Sequence, residues 1–381
     1  MTDSVLGQVV ASKRVIVCVG SGGVGKTTVS AALALKGAQL GRKALVLTID
    51  PARRLAASLG LSELGNAETR ISTDMLRAAG LEPKGELFAM MLDLKRTWDD
   101  LIIKRAPADR REAILGSRFY QQLSSALAGS QEYIAMEKLV DLRLNRDYDL
   151  LVLDTPPTAH ALDFLDAPNR VLDFIGNERV RSLLSPALKA GHLGLKVLNL
   201  TGGYFVRTLS RLTGFALLQE LADFLGTLAP MYDVFKERAV KVKQVLGSQE
   251  TAFVLVTSPH PLTVDESAFF HTLLLQDAMP VAAVVANRVN QAQVKAEELA
   301  AEQLVALAGK LEGAPTEFSE PAVERLRNAV AETESLARAD ERQLARLASL
   351  CAPTPLVRVP RFDEDVHDLA GLWRLDRHLF G

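Results

Sequence analysis

A glycine-rich segment near the N-terminus has the residue types and the spacing that bind a polyphosphate. Residues 20–27 read GSGGVGKT and match the pattern Gly-x-x-x-x-Gly-Lys-Ser/Thr in full. Glycines let backbone N–H groups wrap phosphate oxygens closely, Lys26 can neutralise β- and γ-phosphate charge, and the Thr27 hydroxyl can bind Mg²⁺. The predicted nucleotide-contacting residues of this segment are Gly20, Ser21, Gly22, Gly23, Val24, Gly25, Lys26, Thr27 and Thr28.

Two aspartates follow apolar runs later in the chain. Asp50 follows KALVLTI at 43–49, and Asp154 follows LLVL at 150–153. If both runs are parallel strands, the two carboxylates face the crevice in which nucleotides bind. Asp154 would then reach Mg²⁺, directly or through a water, and Asp50 would orient or deprotonate the attacking water. Either aspartate could instead cap a helix or a turn, although the phosphate loop earlier in the chain favours the chemical interpretation.

Short apolar segments must position these residues. Residues 14–19 (RVIVCV) are predicted to form a buried strand before the phosphate loop, and residues 27–40 a helix after it. Further strands are predicted at 43–49, 149–153, 253–257, 281–286 and, more weakly, 356–359. Strands separated by helical stretches predict an α/β fold. We expect a doubly wound, mainly parallel sheet of the P-loop nucleoside-triphosphatase type, with an α-helical insert subdomain.

Two longer segments do not follow this alternation. Residues 61–129 look helical and mixed, and residues 171–245 are apolar and helical. We predict that they form one helical subdomain and that the core consists of residues 1–60, 130–170 and 246–381. Apolar residues spaced alternately by four and three lie on one predicted helix face: Leu217, Leu221, Phe224, Leu228, Met231 and Phe235. That face either binds a client or partner protein or packs on the protein's own core, and both interpretations stay open.

Composition limits the classes of function. The 381 residues are 48% hydrophobic and 24% charged, as in a globular protein, and the net charge of −2 lacks the basic excess of a general nucleic-acid binder. Cys18 and Cys351 are too far apart in the chain to form a Cys-x-x-Cys zinc pair. No secretory signal is visible, and the longest stretch without Asp, Glu, Lys or Arg, residues 251–264, is too short for a membrane span. We therefore expect a cytoplasmic protein without nucleic acid, zinc or an integral membrane segment.

Several sequence blocks together resemble one known family. The chain resembles the arsenical-pump and tail-anchored-protein-targeting ATPases, the ArsA-type anion-transporting ATPases. This family belongs with the nitrogenase iron protein and the Min and Par ATPases to the deviant Walker A class. The blocks are GSGGVGKTT at 20–28, TIDPARR at 48–54, DTPPTAHALDFLDAP at 154–168, FVLVTSPHPLTVDE at 253–266, VVANRVN at 284–290 and LVRVPRFDEDVHDLAGL at 356–372. They cover the sheet-forming part of the chain, whereas the helical inserts match only in position and length.

The resemblance implies a Mg²⁺-dependent ATPase that works as a dimer and couples ATP binding and hydrolysis to a helical subdomain. That subdomain would bind a protein client or partner. The resemblance also implies that Asn287 recognises adenine and that Pro360 lies beside the base. The switch residues that relay the nucleotide state would be Pro51, Thr155, Pro157 and His160. Taken alone, His160 is better explained as a capping or packing histidine.

Three departures from the family pattern matter. Ser21 stands where the family has a second lysine that reaches across the dimer to the partner's nucleotide. We therefore expect the protein to be slow alone, or to pair with a paralogue that supplies the lysine. The family's metalloid-binding cysteines and its interfacial zinc-binding cysteine pair are absent. No methionine occurs between Met136 and Met231, so a methionine-rich client groove is not supported.

Two alternative functions remain open. A Min- or Par-like positioning ATPase would need a membrane-binding amphipathic helix or a basic DNA-binding surface. Residues 368–381 (DLAGLWRLDRHLFG) could form such a helix, although a helix docked on the protein is the favoured interpretation. The second alternative is a nucleotide-dependent scaffold with weak hydrolysis that needs a paralogous partner.

Overall fold

The computed structural model covers the phosphate loop, both aspartates and the strands that precede them. It describes residues 4–50, 54–118, 120–121, 130–156, 167, 224, 226–228, 231–292, 306 and 320–381. Three of the predicted switch residues lie outside the described residues, namely Pro51, Pro157 and His160.

The described strands form one eight-stranded sheet in the order β3-β4-β2-β5-β1-β6-β7-β8. The strands are β1 (Val15–Val19), β2 (Lys43–Thr48), β3 (Thr69–Arg70), β4 (Glu86–Met91), β5 (Leu150–Asp154), β6 (Thr251–Thr257), β7 (Val281–Val289) and β8 (Leu356–Pro360). Every neighbouring pair is parallel except β3 and β4, which are antiparallel. The sheet therefore confirms the predicted mainly parallel α/β fold, and it contains all six strands predicted from apolar runs.

Strands β3 and β4 were not predicted, because residues 61–129 look helical in the sequence. β4 pairs in parallel with β2 along its whole length, from Lys43 opposite Glu86 to Thr48 opposite Met91. The β4 sequence, ELFAMM, contains no β-branched residue, so its local preference does not favour a strand. Pairing with the edge of β2 is what makes this segment extended. The boundaries of the two inserts stay a prediction.

Helices cover both faces of the sheet. They are α1 (Val5–Ser12), α2 (Lys26–Gln39), α3 (Arg54–Ser58), α4 (Thr73–Ala78), α5 (Leu94–Arg105), α6 (Arg111–Gly116), α7 (Ser130–Asn145), α8 (Tyr232–Leu246), α9 (Pro261–Gln276), α10 (Glu320–Leu350) and α11 (Leu369–Phe380). Alternate β1 residues enter two separate cores: Val15 and Val17 pack with residues of α5, α7, α8 and α9, whereas Ile16 and Cys18 pack with residues of α1, α2 and α11. Burial on both faces explains the continuous apolar strands.

The C-terminal helix α11 is docked on the protein, as predicted. Its apolar face, which includes Leu372 and Leu379, is buried in the same core as the helix that follows the phosphate loop. Asp376 of α11 also forms a buried ion pair with Lys36 of α2, at 3.1 Å. This face is therefore not available to a membrane while α11 is docked. Among the described residues, none of the helices is both long enough and apolar enough to cross a membrane.

The predicted apolar face in the second insert is buried where the structure describes it. Phe224, Leu228, Met231 and Phe235 all enter the core, and Phe235 contacts the rings of two aromatic residues, Trp98 and Tyr133. Packing on the protein's own core is therefore the interpretation that holds for these four residues. Leu217 and Leu221 lie outside the described residues.

Candidate nucleotide-binding site

The phosphate loop connects the end of β1 to the start of α2, as the motif requires. Gly20 has a φ of +144°, and a Cβ atom there would lie 2.0 Å from the Val256 carbonyl oxygen. Gly25 has a φ of +97°, and a Cβ atom there would lie 2.2 Å from Asn287 Nδ2. Both positions need glycine, because the loop passes against β6 and β7 in a conformation that other residues rarely adopt. Gly22 and Gly23 are exposed at the tip of the loop, and Val24 is buried beneath it.

Lys26 folds back over its own loop. Its Nζ atom donates to the carbonyl oxygens of Gly20, at 2.9 Å, and Ser21, at 2.7 Å. Burial lowers the pKa of Lys26, and the nearby Asp154 carboxylate opposes this shift. An ammonium group has three N–H donors, so these two bonds leave one for a phosphate oxygen.

Asp154, at the end of β5, is held by two hydroxyl groups. Thr27 Oγ1 and Thr48 Oγ1 both donate to Asp154 Oδ2, at 2.7 Å and 2.8 Å. The other oxygen, Oδ1, is buried and has no hydrogen-bond partner in the described structure. Burial raises the pKa of Asp154 from 3.8 to about 6, while the bonds from Thr27 and Thr48 and the charge of Lys26 act in the opposite direction.

This donor set fits Mg²⁺. A carboxylate oxygen without a partner and an adjacent threonine hydroxyl are the hard oxygen ligands that Mg²⁺ prefers when it also binds phosphates. The structure thus brings Thr27 and Asp154 together, as predicted. Thr48 was missed. In the sequence, Thr48 is only a lone hydroxyl residue in an apolar strand. The sheet gives it a role, because Thr48 lies opposite Asp154 there.

Asp50 and Arg54 lie at the phosphate end of a cavity of about 1250 Å³. The cavity is lined there by Lys26, Thr27, Thr28, Asp50 and Arg54. The backbone N–H of Asp50 donates to Thr48 Oγ1, at 3.2 Å, and its Oδ2 atom lies 3.8 Å from Arg54 Nη1. The candidate water-orienting carboxylate therefore faces the cavity beside the phosphate loop. Arg54 was not predicted as a site residue.

The predicted base-binding residues line the other end of the same cavity. Asn287 and Pro360 are both in its wall, together with Arg288, which follows Asn287 in β7. Asn287 Nδ2 donates to the Val24 carbonyl oxygen, at 2.9 Å, and Asn287 Oδ1 accepts from the backbone N–H of Arg288. Asn287 therefore holds the phosphate loop by a hydrogen bond, and the second N–H of its amide can donate to a base. Arg288, which was not predicted as a site residue, donates to the Gly23 carbonyl oxygen, at 3.2 Å.

Ser21 and Thr155 bind neighbouring groups. Ser21 is buried, and its hydroxyl donates to the carboxylate of Glu266 on α9. The loop therefore presents no second positive charge at this position. Thr155 Oγ1 donates to the Cys18 carbonyl oxygen, at 2.8 Å, so the residue after Asp154 is tied to β1. Thr155 is thus close to the site, where a switch residue would have to be.

Comparison with known proteins identifies the family of this chain. The family model for anion-transporting ATPases matches residues 13–307, which include the phosphate loop, both aspartates and Asn287. The chain belongs to the anion-transporting ATPase family. The expected resemblance is therefore confirmed, and the members of this family are ATPases.

Relatives in the family carry two kinds of name. An ATPase GET3 from Podospora anserina is 30% identical over 159 residues, which is 42% of this chain and 44% of that protein. A putative arsenical pump-driving ATPase from Prosthecochloris vibrioformis is 25% identical over 287 residues, or 74% of this chain and 62% of that protein. A putative arsenical pump-driving ATPase 1 from Aquifex aeolicus is 25% identical over 376 residues, or 97% of this chain and 79% of that protein. The first two alignments span less than two thirds of the relative's length.

Proposed function

We propose that the protein binds ATP with Mg²⁺ and hydrolyses it to ADP and phosphate. The observation that carries this proposal is the Asp154 carboxylate, which has hydroxyl groups on one oxygen and no described partner on the other. Burying a carboxylate in this way is costly unless a cation compensates it. The carboxylate lies at the end of a central strand beside the phosphate loop, where Mg²⁺ bound to a nucleotide would compensate it.

Each residue then has a role that its contacts support. The loop N–H groups and Lys26 bind the β- and γ-phosphates, and Thr27 and Asp154 hold Mg²⁺. When bound, Mg²⁺ neutralises charge on the phosphate oxygens. Asn287 offers its remaining N–H to the base, and Pro360 forms the wall beside it.

The reaction needs a water molecule and a base. We propose that Asp50 orients the water and takes its proton as the water oxygen bonds to the γ-phosphorus. The bond from the γ-phosphorus to the bridging oxygen breaks, and ADP leaves with the electron pair. Asp50 faces the same cavity as Lys26 and Thr27, which supports this role.

The cellular role extends this chemistry. We propose that the protein works in the cytoplasm as a homodimer or as a heterodimer with a paralogous ATPase. Hydrolysis would act through Pro51, Thr155, Pro157 and His160 on residues 171–245, the insert predicted to be helical, which would bind a protein client or partner. The resemblance of the switch blocks to those of the family supports this coupling. The name of the Aquifex aeolicus relative, a putative pump-driving ATPase, supports it as well.

Hydrolysis with and without Mg²⁺ tests the proposal. The variants are Thr27→Ala and Asp154→Asn, with Thr97→Ala as control, because Thr97 is a buried hydroxyl on α5 that bonds to the backbone. We expect Mg²⁺-dependent turnover in the wild type and the control, and its loss in both site variants. Light-scattering mass with and without ATP reports dimer formation. A wild type that binds no ATP would contradict the proposal.

Ser21 favours a second candidate, the nucleotide-dependent scaffold. Because its hydroxyl is engaged by Glu266, position 21 supplies no charge to a partner's nucleotide. A scaffold would bind Mg-ATP as tightly as an ATPase does, but its turnover would be no faster than that of Thr27→Ala. The same assay therefore separates the two functions.

A further inference from the structure

We propose that Arg54 is the residue that binds the γ-phosphoryl group and stabilises its charge during hydrolysis, from within the same chain. This inference rests on the proposed ATPase function and adds a residue to it. Arg54 begins α3, the helix that follows Asp50 in the chain, and it lines the phosphate end of the cavity with Lys26 and Thr27.

The Arg54 side chain can turn to a ligand at little cost. It is 65% exposed, and its described ion pair with Asp50 is long, at 3.8 Å. A long ion pair with an exposed guanidinium contributes little to stability, so Arg54 loses little when it exchanges the Asp50 carboxylate for a phosphate. The guanidinium group is planar and always charged, and it can bind two phosphate oxygens at once.

The other cations of the cavity are placed for different contacts. Lys26 donates to two carbonyl groups of its own loop. Arg288 donates to the Gly23 carbonyl and lies 3.6 Å from Asp365. Arg361 follows β8, beside Pro360 at the base end. Arg54 is instead next to Asp50, the residue proposed to orient the attacking water.

This placement bears on Ser21. A hydroxyl bonded to Glu266 cannot supply positive charge at that position, whereas Arg54 supplies one from the same chain. If Arg54 stabilises the transferring group, turnover does not require a lysine from a partner. Self-sufficient hydrolysis is therefore compatible with serine at position 21.

A transition-state mimic separates this role from ordinary nucleotide binding. Calorimetry would measure the affinity for Mg-ADP alone and for Mg-ADP with aluminium fluoride, which imitates the transferring phosphoryl group. The variants are Arg54→Ala and Arg54→Lys. The matched control is Arg77→Ala, because Arg77 is 60% exposed and lies 4.0 Å from Asp74 on α4, outside the cavity wall.

We expect Arg54→Ala to keep the wild-type affinity for Mg-ADP, which also shows that it is folded. Its kcat and its gain in affinity with aluminium fluoride should both fall, on the order of 100-fold. Arg54→Lys should lose less kcat and less of the gain in affinity, because lysine keeps the positive charge but cannot bind two phosphate oxygens at once as the guanidinium does. Added guanidinium ion should restore part of the kcat of Arg54→Ala, and Arg77→Ala should match the wild type.

Each contrary result has a different meaning. If Arg54→Ala matches Arg77→Ala in both affinities and in kcat, the role of Arg54 is refuted and the ATPase function stands. If Arg54→Ala loses both affinities equally and guanidinium restores nothing, Arg54 has a structural role and the inference is wrong. If the wild type neither binds Mg-ADP nor hydrolyses ATP, the proposed function fails and the inference fails with it.

Discussion

Removing the charge of Asp154 should stabilise the nucleotide-free protein at neutral pH while abolishing Mg²⁺-dependent turnover. Asp154→Asn keeps an oxygen that can accept the bonds from Thr27 and Thr48, so the local contacts survive. The substitution removes the negative charge of a buried carboxyl group, and burial raises the pKa of that group from 3.8 to about 6. A site prepared for a cation is a source of instability when that cation is absent.

The size and sign of the effect follow from the pKa shift. Between pH 3.8 and about 6 the folded state binds the Asp154 proton more tightly than the unfolded state does, so wild-type stability falls as the pH rises. Each pKa unit corresponds to about 1.4 kcal/mol, which makes the full loss about 3 kcal/mol. About half of this loss in the free energy of unfolding, roughly 1 to 2 kcal/mol, falls between pH 5 and the plateau above pH 6. The asparagine side chain does not titrate, so the variant does not lose this stability as the pH rises.

Urea unfolding in EDTA at pH 5.0 and pH 7.5 measures this effect. The stability advantage of Asp154→Asn over the wild type should be larger at pH 7.5 than at pH 5.0 by roughly 1 to 2 kcal/mol. Asp74→Asn is the control, because the Asp74 side chain is 94% exposed, and it should show no such pH dependence. An advantage that is equal at both pH values would refute the argument that burial raises the pKa of Asp154.

Three further substitutions test the site. Gly25→Ala should abolish nucleotide binding, measured by calorimetry, because its Cβ would lie 2.2 Å from Asn287 Nδ2 at a φ of +97°; unchanged affinity would show that the loop is not the binding element. Thr48→Ala should raise the Mg²⁺ concentration for half-maximal turnover about tenfold, since Asp154 loses one of two hydroxyl bonds; a change in ATP affinity without a change in Mg²⁺ dependence would contradict this. Ser21→Lys should change turnover by less than about tenfold, since Arg54 supplies charge from the same chain; a joint rise in rate and in dimer mass by light scattering would instead support a lysine supplied by a partner.

Much of the site could be predicted because its residues are close in the chain. The phosphate loop needs a strand, a run of glycines and a helix in direct succession, and residues 14–40 contain all three. The same locality explains Asp50 and Asp154, which follow their strands immediately. Continuous apolar runs predicted six of the strands, because a strand buried on both faces has no polar positions.

The tertiary structure decided the contacts between distant segments. Strand β4 is extended because it pairs with β2, and the hydroxyl of Thr48 reaches Asp154 because the sheet register puts the two residues side by side. Neither register nor neighbour order is written in the local sequence, since each depends on which strands pair.

The contacts at the two ends of the cavity also depend on the tertiary structure. The sequence alone identified a nucleotide site, a family and the unusual Ser21. Only the fold showed that Glu266 engages Ser21, that Asn287 clamps the phosphate loop, and that Arg54 lies beside Asp50 at the phosphate end of the cavity. The contacts of Ser21 and Asn287 join the phosphate loop to segments that are 245 and 263 positions away in the chain, whereas Arg54 is only four residues from Asp50 and its place in the cavity wall comes from the fold. The directions of these side chains are set by packing rather than by the chain on either side of each residue.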